Sequence, residues 1–170
     1  MSDIIASQPA TGTLLQLDLG ERLFIWGFRS MAEHRRRGWP TMREMRDVYA
    51  HFQVASALSF FDELIEAFAS TAHTPIEIHS PGCPCVSESE TCLLRAAAAA
   101  QSGDLDTASH GFSRWIPISA TGWLMTPTCA IGRMFQAAGM ILPVRHADRA
   151  NMAGSTAALS WQPAGSRSLH

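Results

Sequence analysis

Residues 22–32 read Arg22-Leu23-Phe24-Ile25-Trp26-Gly27-Phe28-Arg29-Ser30-Met31-Ala32, and the spacing within this run decides the fold. Leu19, Leu23, Trp26 and Ser30 fall on one helical stripe, and Phe24, Phe28 and Met31 fall on the stripe beside it. Together they make a wide apolar face, too broad for an isolated surface helix and suited to burial in a bundle. Asp18 stands where an N-cap oxygen is needed, Arg35, Arg36 and Arg37 occupy the last turn, and Gly38 ends it. The pattern predicts a helix from about Leu19 to Arg36.

The same signals recur downstream. Thr41-Met42-Arg43-Glu44 is a capping box and opens a helix to about Phe52. A third helix follows from near Ala55 to Thr71, with Leu58, Phe61, Leu64, Ile65 and Phe68 facing inward; no strong breaker separates it from the second. Pro75-Ile76-Glu77-Ile78-His79 alternates apolar and polar residues and predicts a short extended segment. Ser87-Glu88-Ser89-Glu90 is another capping box, leading a helix from Glu88 to Gln101 whose Ala96–Ala100 run lets a neighbour pack close. A helix from Leu105 to Trp115 comes next. Thr126-Pro127 reads as an N-cap with proline in the first turn of a last helix, stopped at Gly139. Gly27 and Gly132, inside helices, mark close approaches between neighbours. Trp26, Trp39, Trp115 and Trp123 read as core anchors.

The prediction is therefore an all-α bundle of roughly five or six helices with one short extended segment near residues 75–79. Residues 1–17 read as a flexible lead-in, 18–145 as one helical domain, and 146–170, small and polar, as a disordered tail.

Composition excludes several functions. The chain is 46% hydrophobic and 16% charged, with a mean hydropathy of +0.02, too apolar for a disordered protein. A formal net charge of -2 denies it the global basic field that holds nucleic acid. The outline of residues 41–52 as a helix-turn-helix is common to many helical domains, and Glu33-His34-Arg35-Arg36-Arg37 reads as a helix end rather than a phosphate patch. The most apolar stretch, Trp123 to Leu142, is broken by Pro127, Arg133 and Gln136, which predicts no membrane span. Met1-Ser2-Asp3-Ile4-Ile5 lacks the positive region of a secretion signal, so the expectation is a cytoplasmic setting with reduced thiols. No HExxH pair, Gly-rich phosphate loop, GxSxG elbow or paired-carboxylate site is present, which leans against an enzyme.

One stretch carries unusual chemistry: His79-Ser80-Pro81-Gly82-Cys83-Pro84-Cys85, leading to Cys92. His79, Cys83, Cys85 and Cys92 are a candidate ligand set for zinc or an iron–sulfur cluster, since thiolates and imidazole are the ligands such centres take. The prolines stiffen the bend, and Cys92, just over one turn into the next helix, is placed to look back. Against this, the spacing of one residue is not the usual zinc pair, no second pair exists, and Glu88 and Glu90 oppose thiolate formation. Two other readings stand beside it. One is a reactive or redox thiol at the helix N-terminus, with Cys85 to Cys92 the easier disulfide. The other is plain packing, with the cysteines as small fillers in a shaped connector.

The order of these parts resembles a family of small uncharacterised helical bacterial proteins. The likeness runs over roughly residues 19–101. It is carried by residues 22–32, by Asp62-Glu63-Leu64-Ile65-Glu66-Ala67, by the Ile76-Glu77-Ile78 segment, by the cysteine loop and by the Ser87–Glu90 cap. The loop of that family is richer in adjacent cysteines, whereas here Pro84 separates Cys83 from Cys85, so the resemblance carries over no ligand set. The resemblance implies a fold and no reaction.

The functional expectation is a non-enzymatic cytosolic accessory or regulatory protein acting through a protein partner or as a homo-oligomer. The alternative is a metal-binding or thiol redox protein using the four loop residues.

Overall fold

The computed structural model describes residues 12–38 and 42–145. Six α-helices account for most of them: α1 (Leu19–Arg37), α2 (Met42–His51), α3 (Ala57–Thr71), α4 (Glu88–Ser102), α5 (Leu105–Phe112) and α6 (Thr121–Ala137). Short 3-10 turns sit at Leu14–Gln16 and Ile118–Ala120, and two-residue strands β1 (Gly12–Thr13) and β2 (Cys85–Val86) pair antiparallel. The expected all-α bundle is what forms. The proposed tail, residues 146–170, and the Thr41 cap lie outside the described residues, as does Trp39.

The bundle closes around aromatic side chains. Phe24 and Phe28 of α1 meet Phe61 and Phe68 of α3 edge-to-face, and Phe68 continues the chain of contacts to Phe112 and Trp115. Such edge-to-face pairs set the ring's positive rim against a negative face. Helix α4 packs against α5 and α6, and α6 also against α3. The small residues make these approaches possible. A Cβ on Gly111 would stand 3.2 Å from Ala96, and one on Gly132 3.2 Å from Gln101. Gly27 is tighter still. A methyl there would fall 1.8 Å from the Tyr49 hydroxyl, which donates at 2.8 Å to the Leu23 carbonyl.

Helices α2 and α3 are separate. Gln53 takes a left-handed backbone (φ 60), and bonds from Gln53 N to Ala50 O and Val54 N to Tyr49 O complete a Schellman ending. That ending drives Val54 into the core, where it is 2% exposed. Helix α6 begins five residues before the expected Thr126 cap and carries Pro127 inside it. Proline withholds one backbone donor, and the carbonyl it orphans belongs to Trp123, which is 65% exposed. Trp123 is therefore no core anchor, whereas Trp115 is buried and Trp26 stacks on Tyr49.

Two further expectations shift. Residues 75–79, expected as a short extended segment, have no regular secondary structure; the strand lies further on, at Cys85–Val86. The lead-in is also not wholly loose, because β1 pairs with the cysteine loop: Gly12 opposes Val86, Thr13 opposes Cys85, and Leu14 N donates to Pro84 O at 2.8 Å.

Candidate functional site

The loop is held from inside the bundle. Arg29, in the middle of α1's apolar face, is fully buried, and so is its partner Glu90. The guanidinium Nε donates to Glu90 Oε1 at 2.6 Å and Nη2 to Oε2 at 2.7 Å. The remaining donors go to the loop backbone: Nη1 to the Cys83 carbonyl at 2.7 Å and the Ser80 carbonyl at 3.4 Å, and Nη2 to the Cys85 carbonyl. An arginine side chain has five N–H groups, and all five are used here. Lysine, with three donors and no planar fork, has no equivalent.

Glu90 is doubly employed. As the third helical residue of α4 it closes the capping box, accepting from Ser87 N at 2.9 Å while Ser87 Oγ accepts from Glu90 N. It also accepts from the His79 amide at 3.1 Å and lies 3.3 Å from His79 Nδ1. Burial alone would push this carboxyl up. The hydrogen bonds from Arg29, the Ser87 amide and the His79 amide, with the Arg29 charge, outweigh it and hold Glu90 below its ordinary value. The carboxylate is thus fixed as an anion at neutral pH, and the loop is hung between it and Arg29.

The loop itself turns at Ser80-Pro81-Gly82-Cys83, closed by Cys83 N donating to Ser80 O at 3.0 Å, with Pro81 at the position that favours it. Cys83 and Cys85 are half-exposed free thiols. Interaction with the neighbouring Cys83 side chain, with burial adding to it, raises the Cys85 thiol above its ordinary value of 9.0. Cys85 therefore keeps its proton at neutral pH.

The structure gathers two of the four expected ligands. Cys83 and Cys85 stand together. His79 turns its Nδ1 to Glu90, and its Nε2 is 3.9 Å from Glu77. Cys92 Sγ accepts from Arg114 Nη1 at 2.7 Å, and Arg114 also holds Glu88 at 3.1 Å and lies over the Trp115 ring. Among the described residues no three His, Cys, Asp or Glu side chains converge where an ion could sit. The cause is helical geometry. Cys92 follows Glu90 by two residues, a rotation of about 200°, so when Glu90 faces inward to Arg29, Cys92 faces away. The fourth cysteine, Cys129, packs on the alanine cluster of α4 and α5.

Arg29 is the site residue that sequence reasoning missed. Its signal was a lone cation on an apolar stripe, but its partner lies 61 residues away. The fold and site define a class in structural terms: an all-α bundle that presents a dithiol loop clamped by a buried arginine. No protein-family model matches the chain, and neither the curated proteins nor the solved structures contain a match.

Proposed function

We propose that this protein is a non-enzymatic accessory protein that works through the paired thiols of Cys83 and Cys85. The observation that carries the reading is the allocation of Arg29. A buried ion pair is a poor source of stability, because desolvation offsets most of the attraction and apolar residues of equal volume do as well. Three of Arg29's five hydrogen bonds go to loop carbonyls, so the pair serves to fix the loop rather than to cement the core. What the fixed loop carries is two half-exposed free thiols, one residue apart.

A trivalent arsenical tests the pairing, because R–As=O condenses with two thiols to R–As(SR)₂ and one water. The expected result is one arsenical retained per chain in excess monothiol, with retention lost in both C83S and C85S. Retention that survives either change removes the reading.

A second reading, binding of a partner protein, has its own observation. Trp123, 65% exposed in the first turn of α6, and Ile118, 73% exposed in the 3-10 turn before it, are large apolar side chains left to solvent, and such groups mark contact surfaces. If light scattering of the native protein gives a monomer and capture by the wild type and by W123A recovers the same set of proteins, this reading fails.

A further inference from the structure

We infer that Cys83 and Cys85 form a two-sulfur site for a soft, low-coordinate cation of the copper(I) class. The inference rests on the dithiol reading and adds the ligand it takes.

Three features select the ion. The first is donor type. Hard cations need oxygen ligands, but the Ser80, Cys83 and Cys85 carbonyls point inward at Arg29, and Glu90 is buried behind them. The half-exposed free thiols of Cys83 and Cys85 stand in the same loop, and thiolates select copper(I), zinc and iron–sulfur centres.

The second is coordination number. Structural zinc takes four ligands in a tetrahedron, and iron–sulfur clusters are held by four cysteines. Here the other soft ligands are directed elsewhere, Cys92 toward Arg114 and His79 toward Glu90. A cation content with two sulfurs is the one this loop suits.

The third is preorganisation. Cys83 is set by its turn and by Arg29. Cys85 is set by Arg29 and by β1, and Pro84 between them has a restricted φ. Little freedom is left to lose on binding. Binding converts two thiols to thiolates and releases two protons to solvent; the copper enters and stays as copper(I), so no electron is transferred.

The test uses the full chain, reduced, anaerobic and with any affinity tag removed. It is titrated with copper(I) against a chromophoric copper(I) chelator. The expected result is one copper per chain, with C83S and C85S each weakening retention by about 100-fold or more as chelation is lost, and with C92S and C129S unchanged. Circular dichroism of the variants, and the same titration on wild type alkylated beforehand, separate loss of sulfur from loss of fold. Retention that is unaffected by C83S and C85S overturns the inference. So does a loss in C92S as large as in C83S, which would mean a larger ligand set. Arsenical capture without copper retention overturns the cation site and leaves the dithiol reading standing, whereas failure of both removes both.

Discussion

At the scale of single residues, Arg29 makes the sharpest predictions. R29M strands the Glu90 carboxylate and should cost about 3–5 kcal/mol in urea denaturation. The double variant R29M/E90M separates two roles. If the pair served only itself, replacing both ions by methionine would restore most of the loss. Because Arg29 also serves three loop carbonyls, the double variant should stay destabilised by roughly 1–3 kcal/mol for the polar groups left unpaired. Glu90 sets the acid limb of stability. Its folded value lies below the ordinary 4.5, so its contribution is complete above that value and drains away as pH falls through the folded one. E90Q should therefore be less stable at neutral pH and show a flatter decline between about pH 4.5 and the acid transition, read by denaturation at stepped pH. The capping role of Ser87 and Glu90 was legible because both residues lie within one helical turn. The Arg29 role was not, because a charge's distant partner leaves no trace in local spacing.

At the scale of elements, hydrophobic period and capping chemistry located five helices within a few residues. They failed at α6, where Thr-Pro imitates a helix start; proline is in fact tolerated one and a half turns in, its orphaned carbonyl belonging to an exposed residue. They also left the α2–α3 break open, since glutamine gives no signal for the left-handed backbone that Gln53 adopts. Relief of that strain, about 1–2 kcal/mol, exceeds the extra chain entropy of glycine. Q53G should therefore stabilise the protein by roughly 0.5–1 kcal/mol, seen as a higher denaturation midpoint with unchanged slope. G27A runs the other way. The Tyr49 hydroxyl occupies the place of the new methyl, so α1 and α2 must separate. Gln101 is a clasp of another kind: its Nε2 donates to the Gly132 and Met140 carbonyls, and its Oε1 accepts from the Leu142 amide. Q101A should speed hydrogen exchange at Leu142 while leaving the amides in the middle of α4 protected.

At the scale of the whole molecule, the apolar faces specified a helical bundle but not which helix lies beside which. Order of packing depends on the shapes of the faces, such as glycine against alanine at Gly111 and Ala96, and those matches connect positions far apart in the chain. Tryptophan shows the limit of counting by residue type. W115A removes a buried ring and should cost about 3–5 kcal/mol, whereas W123A should change stability by no more than about 0.5 kcal/mol, both read by thermal denaturation. The pairing of β1 with β2 has a practical outcome at this scale. It brings the beginning of the described chain against the thiols, and Arg145, bonded to Gln16 O and Glu21, brings the far end to the same pole. A polyhistidine handle joined directly ahead of Gly12 would therefore lie beside the strand that carries Cys85, where its imidazoles and the loop thiols would complete a counterfeit nickel or zinc centre.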